Sequence, residues 1–240
     1  MQLVIQQPIF FPWCGYLELA KAADVFVHLD DVQLINKASF TNRVQIKNKS
    51  DVLWLTAPID KSKGHLVKIN ESYFSDKTNW RNKHLKTIQQ LYIKTFYYKE
   101  MMELTIDIYN QDTNNIAEFD IYCDNKLISF FGIKAKILKS SEILTHGSKS
   151  ELVLSICKEL GADTYITAHG ALNYLDYNLF EKNNIEVKYV DYNFKPWNQQ
   201  FGEWTPYVTS LDLIAAVGKN CIDHLNSKTV YWRDFISSKN

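Results

Sequence analysis

Arginine is scarce in this chain, standing only at Arg43, Arg81 and Arg233, and neither sign of charge prevails: 27 Lys and Arg face 27 Asp and Glu. A net charge of zero supplies no general field for nucleic acid or an acidic membrane surface, so either would need a local patch. Long apolar runs are also missing, with nothing near the roughly 18 residues that a membrane span requires. The opening MQLVIQQPIF has no cationic flank before an apolar stretch, so no signal peptide is expected. Cysteines at 14, 123, 157 and 221 form no CxxC pair, which argues against zinc or a disulfide framework and for reduced thiols. These absences predict a soluble, cytoplasmic protein.

Signatures of the common chemistries are absent too. No GxGxxG follows the first apolar strand and no GxxxxGK[ST] occurs, which removes the Rossmann dinucleotide and P-loop readings. Gly147-Ser148-Lys149-Ser150 has a superficial P-loop look without the upstream glycine. GxSxG, HExxH and zinc-ligand spacings are missing as well.

What is present is a chain of 240 residues, 46% hydrophobic and 14% aromatic, enough for a sizeable core with aromatic rings to spare. We read it as a single α/β domain, 1–240. Strand Leu3–Ile5, helix Leu17–Ala23 and strand Val25–Val32 make a βαβ unit with parallel strands. An irregular stretch follows around Asn36–Asn42, then strands Arg43–Lys47 and Val52–Pro58 with a turn signal at Lys61–Gly64. Residues 66–74 suggest another strand. Apolar spacing predicts a helix at Asn79–Lys94 and two more within 100–132, so that about 76–130 forms a helical cap or insertion. The α/β rhythm then returns: strand Lys134–Leu138, helix Ser150–Leu160 ended by Gly161, strand Thr164–Thr167, helix Gly170–Lys182, strand Ile185–Tyr192, and helix Ser210–Val217 ended by Gly218. The expected fold is a mostly parallel sheet with helices on both faces. Ligands in such folds bind beyond the carboxyl ends of the strands, which directs attention to the loops after Gln6, Asp30, Pro58, Thr167 and Tyr192.

Several constellations fall at those ends. The first loop holds Gln7-Pro8, Phe11-Pro12-Trp13 and Gly15-Tyr16, offering an amide and a stacking face; the other reading is aromatic core beneath a tight turn. Asp30 and Asp31 close the second strand, with Gln33 beyond. A carboxylate pair there could bind Mg²⁺, act as base or grip sugar hydroxyls, or simply make a turn. Asn42-Arg43 places one of the three guanidinium groups where it could meet a phosphate or carboxylate. Thr56 is a possible contact on an otherwise core strand. His84 shares a helix face with Trp80, and His169-Gly170 sits between a strand and a helix, where an imidazole could titrate near neutrality.

The run Gln7-Pro8, Phe11-Pro12-Trp13, Gly15-Tyr16, Asp30-Asp31-Val32-Gln33, Asn42-Arg43 and Trp54-Leu55-Thr56, continued by Trp80, His84 and Ser210-Leu211-Asp212-Leu213, resembles the WbqC-like protein family. Where members often carry a histidine two residues before the Gln-Pro pair, this chain has Ile5. The resemblance implies bacterial surface-glycan (O-antigen) biosynthesis on a nucleotide-linked amino sugar, with N-acylation of the sugar amine by an amino acid such as glycine. The acyl donor stays open, between ATP with Mg²⁺ and an amino acid and an aminoacyl-tRNA. On this reading Asp30, Asp31 and His169 are the catalytic candidates. Gln7, Trp13, Tyr16, Gln33, Asn42, Arg43, Thr56 and His84 are the binding candidates. The alternative is a non-catalytic sugar-nucleotide or glycan-binding module.

Overall fold

The computed structural model describes residues 1–35, 39–62, 64 and 66–239. Among them the strands are β1 (Gln2–Gln6), β2 (Val25–His28), β3 (Arg43–Asn48), β4 (Asp51–Thr56), β5 (Lys136–Lys139), β6 (Thr164–Thr167), β7 (Glu186–Asp191) and β8 (Lys228–Tyr231). The α-helices are α1 (Cys14–Ala22), α2 (Trp80–Tyr92), α3 (Tyr98–Tyr109), α4 (Ile116–Phe130), α5 (Ser150–Glu159), α6 (Tyr177–Glu181), α7 (Leu211–Val217) and α8 (Trp232–Ser237).

Six strands form one sheet in the order β5-β2-β1-β6-β7-β8. All pair in parallel except β8, which runs antiparallel along β7 at the edge. Alternation along the strands feeds two cores. Val4, Phe26, Ile166 and Val190 pack with α1, α4 and α7 on one face. Leu3, Ile5, Val27, Tyr165 and Tyr189 pack with α5, α6 and α8 on the other. The α2–α4 insertion covers the first face, and β3 pairs with β4 in a hairpin separate from the sheet. All four cysteines are free and buried. No helix among the described residues is long and apolar enough to cross a membrane.

Several boundaries differ from the sequence reading for local reasons. The strand expected at Val25–Val32 stops at His28, because the Asp30 carboxylate turns the chain toward Ser140 and Ser141. Asp30 and Asp31, expected to close the second strand, therefore lie beyond its end. Residues 66–74 form no strand but a 3₁₀ turn, Ile69–Glu71, anchored by Ile69 N–H to Val32 O at 2.9 Å. The helix expected at Gly170–Lys182 is split into a 3₁₀ turn, His169–Asn173, and α6, which Asp176 caps by accepting from Leu179 N–H. Helix α1 starts three residues early, at Cys14. The edge pair β8 and α8 had no counterpart in the reading. Of the irregular stretch at 36–42 and the turn signal at 61–64, residues 36–38 and 63 lie outside the described residues.

Candidate functional site

Chain order in the sheet reverses at β1, which has β2 on one side and β6 on the other. In open parallel sheets the crevice beyond such a reversal is where ligands bind. Here it holds a cavity of about 420 Å³, floored by Gln6 and Gln7 after β1 and by Thr167, Ala168 and Gly170 after β6. The segment around Ser39, Phe40 and Thr41 makes a wall, held to the first loop by Phe10 N–H donating to Phe40 O at 2.8 Å. Ser39 and Thr41 pair their hydroxyls at 2.8 Å. A β-carbon on Gly170 would meet nothing within 4 Å, so backbone there is open to a ligand.

Among the described residues the chemistry of this cavity is neutral. Its described lining offers amides from Gln6 and Gln7 and hydroxyls from Ser39, Thr41, Thr167 and Tyr174, with no Asp, Glu, Lys, Arg or His. Such a surface trades hydrogen bonds with hydroxyls and amides and has no ion to shift a proton. Ile9 and Phe40 also line an adjoining apolar pocket of about 160 Å³, together with Trp13, Gln45 and Tyr207. Trp13 packs its indole among Tyr192, Phe194 and Tyr207, at centroid distances of 5.2, 5.9 and 5.5 Å. Phe40 and Tyr207 are largely exposed, so the rings form an accessible stacking surface.

Arg43 stands beside this pocket on β3, its guanidinium 4.2 Å above the Trp54 ring. The register pairs Arg43 with Thr56 and Gln45 with Trp54, which puts all four on one face of the hairpin. The other two arginines are engaged: Arg81 binds the carbonyls of Tyr109 and Thr113, and Arg233 grips the Glu181 carboxylate. Arg43 makes no hydrogen bond or ion pair among the described residues, and its Nε is buried without a partner.

The remaining sequence candidates are dispersed. Asp30 accepts from Ser140 Oγ, Ser141 N–H and Ser141 Oγ, and so clamps the turn after β5; Asp31 shares the Ser140 hydroxyl. Asn42 closes the base of the hairpin, Nδ2 donating to Ala57 O at 2.9 Å. Gln33 is exposed and bridges to Lys68, and Thr56 is exposed. His169 does not line the cavity although its neighbours Ala168 and Gly170 do; its Nε2–H donates to Val190 O at 2.8 Å, and the ring packs on Tyr192 and Phe235. His84 is buried among Phe10, Trp80 and Tyr109, and burial lowers its pKa to about 4.

Tyr16 belongs to a buried polar chain that the sequence reading missed. Its hydroxyl lies 2.7 Å from Asp124 Oδ2 and 3.3 Å from His28 Nδ1, while His28 Nε2 lies 3.3 Å from Asn125 Oδ1. Burial drives the Asp124 pKa well up and the His28 pKa down to about 4, so His28 is neutral at pH 7. The Tyr16 hydroxyl donates to Asp124 Oδ2, and His28 Nε2–H donates to Asn125 Oδ1. Asp120, one turn before Asp124, is buried with both carboxylate oxygens unpartnered. The sequence signal for this chain was two carboxylates spaced i,i+4 among the core residues Phe119, Cys123 and Leu127. Among the described residues no three His, Cys, Asp or Glu side chains converge on a metal position.

Fold and site thus define a mixed α/β protein with a hydrogen-bonding cavity, neutral among the described residues, at the reversal of its sheet and an aromatic pocket beside it. The model of the WbqC-like protein family matches residues 7–224, and the chain belongs to that family, which is linked to O-antigen and nucleotide-sugar biosynthesis. It is similar to the uncharacterized protein Rv1507c of Mycobacterium tuberculosis (strain ATCC 25618 / H37Rv), with 27% identity over 226 residues, 93% of this chain and 97% of that protein. No solved structure matches the chain.

Proposed function

We propose that this protein is an enzyme of surface-glycan biosynthesis that holds a nucleotide-linked amino sugar across the two pockets and N-acylates its amine with an amino acid. The observation that carries the binding half is the cavity, neutral in its described lining, beside the aromatic pocket with which it shares Ile9 and Phe40. Amides and hydroxyls suit sugar hydroxyls, the rings of Trp13, Phe40 and Tyr207 suit a nucleobase, and the free guanidinium of Arg43 suits the diphosphate between them. In the acylation the amine forms the new C–N bond, the donor's leaving group departs, and the amine proton passes to a base. We assign Asp31 as that base: its Oδ2 makes no hydrogen bond among the described residues, and it lies in the segment between the lining residues Leu29 and Ile35.

The test is incubation with UDP- and dTDP-amino sugars and either ATP, Mg²⁺ and an amino acid or aminoacyl-tRNA as donor, read by mass spectrometry. A mass gain of one aminoacyl group, abolished by Asp31→Asn with sugar-nucleotide affinity retained, is the expected result. The absence of any acid or base from the described lining of the main cavity favours a second reading, a sugar-nucleotide-binding module without turnover. Tight binding with no mass gain under either donor would select it.

A further inference from the structure

Lys47 is only 1% exposed, on a face of the hairpin that is otherwise open. Alternation along β3 sets Arg43, Gln45 and Lys47 in one row, opposite Thr56, Trp54 and Val52. Every other member of that face is exposed or half-buried. What covers Lys47 is the irregular chain between β7 and α7. Residues 192–210 form no helix or strand, and the Lys47 ammonium donates to the carbonyl of Glu203 at 2.7 Å. Its other polar contact among the described residues is the exposed carboxylate of Asp51, at 3.4 Å.

The covering segment is a loop on a neck. Thr205 N–H donates to Gln199 Oε1 and Gln199 Nε2 donates to Thr205 O, both at 2.9 Å. The flanks are fixed. Lys195 N–H donates to His224 O on one side; on the other, Thr209 N–H donates to Gln45 O and Ser210 N–H to Pro12 O. Inside the neck, residues 200–204 lie down at a cost. An ammonium leaves water for one strong hydrogen bond, and Gln200 Oε1 is buried with no partner among the described residues. Gly202 holds φ at +59°, in the left-handed region. Each cost disappears when the loop lifts. The two neck bonds and the edge contact of Trp204 on Trp197 are what hold it closed.

The loop is also tied to the aromatic pocket. Tyr207 N–H donates to Thr205 Oγ1 at 3.2 Å, so the neck places the ring that stands 5.5 Å from Trp13. Gln45 lines that pocket, and Lys47 follows it in the same row of β3. We propose that residues 200–204 are a lid, whose lifting carries Tyr207 off Trp13 and prolongs the aromatic pocket along β3 to Lys47. Short compact loops with closed ends are a recurrent means of admitting and enclosing a ligand. The inference goes beyond the sugar-nucleotide reading and stands without it, because no ligand enters the argument.

The test is relaxation-dispersion NMR on the intact protein, joined to acetylation of Lys47 by an N-hydroxysuccinimide ester and read by mass spectrometry. Lid opening falls in the microsecond-to-millisecond range that dispersion detects. The amides of 200–205, the Tyr207 amide and the Trp13 indole N–H are expected to share one exchange rate, and Lys47 to react through the open form. Gly202→Ala strains the closed loop and should raise the open population and the acetylation rate about tenfold, the factor that a left-handed residue other than glycine costs. Gln199→Ala unties the neck and should act in the same direction, which serves if the first variant fails to fold. Silence of 200–205 in every variant, exchange there with Tyr207 and Trp13 quiet, or acetylation of Lys47 only at the rate of global unfolding would each overturn the lid. A sugar nucleotide that binds while the loop stays quiet leaves the earlier reading intact.

Discussion

A β-carbon on Gly15 would stand 2.2 Å from Cη2 of Trp13, because the indole folds back over the first turn of α1. The ring cannot yield easily, being held by Tyr192, Phe194 and Tyr207. Gly15→Ala should therefore cost about 1–3 kcal/mol, as overpacking does, and push the indole into the aromatic pocket. Urea denaturation would measure the loss, and a shifted tryptophan emission would report the displaced ring.

Arg43 is the guanidinium with no hydrogen bond or ion pair among the described residues, and replacing it with lysine keeps the charge while losing the planar fork and its stack on Trp54. Arg43→Lys should weaken sugar-nucleotide binding by about 1–3 kcal/mol, the size of a charge-assisted hydrogen bond, and leave melting nearly unchanged. Calorimetric titration with a UDP-sugar against the corresponding nucleoside would place the loss on the phosphates.

Two buried imidazoles make stability depend on acid. His28 and His84 titrate near 6.5 when unfolded and at about 4 when folded, both chiefly through burial. Below pH 6.5 the unfolded chain binds these protons and the folded chain does not. Their contribution is thus full above 6.5 and is lost as the pH falls toward 4. His84→Gln should gain on the parent by about 2 kcal/mol between pH 7 and pH 4.5, measured by urea unfolding at both values.

The buried carboxyls act in the opposite direction. Burial raises the pKa of Asp120 well above 3.8, with Asp124 adding to the effect. Stability is then present below 3.8 and is withdrawn as the unfolded chain ionises at higher pH. Asp120→Asn should melt close to the parent at pH 4 and above it at pH 8. Parallel melting curves at the two pH values would show that Asp120 is not held neutral.

Asp30 offers a sharper test of structure against chemistry. Its oxygens take three hydrogen bonds from Ser140 and Ser141, and an amide would turn a donor toward one of those donors. Asp30→Asn is expected to lower stability by about 1–3 kcal/mol. Thermal melts beside sugar-nucleotide titration would show whether affinity falls by more than the lost order explains.

Long periodic segments were legible from the chain alone. The parallel sheet core, the insertion and the hairpin Arg43–Asn48 with Asp51–Thr56 follow from alternation and turn residues. The stretch at 66–74 misled, because LVKINESYF has strand-like composition while its hydrogen bonds go singly to Val32, Asp30 and Asn114. In the site, the loop from Gln7 to Tyr16 announced itself by its prolines and rings. Its members nevertheless divide: Gln7 lines the cavity, Trp13 the aromatic pocket, and Tyr16 turns inward to Asp124. Spacing cannot give that division, since Tyr16 is turned by Asp124 of α4 and Trp13 by Tyr192, Phe194 and Tyr207, all more than 100 residues away. Ser39 and Thr41 carry no motif and entered the cavity wall through tertiary packing alone.

Burial of the four thiols has a practical consequence. Cys14 and Cys123 are pushed well above their ordinary pKa, and Cys157 and Cys221 are pushed up to about 12, all chiefly by desolvation. A thiol that is neither ionised nor reachable does not alkylate at neutral pH. The native chain is therefore a silent background for labelling: a cysteine installed at the exposed Phe40 or Tyr207 would be the single nucleophile for a maleimide dye or spin label. Occupancy at the cavity mouth could then be followed optically, without knowing in advance which reaction the protein performs.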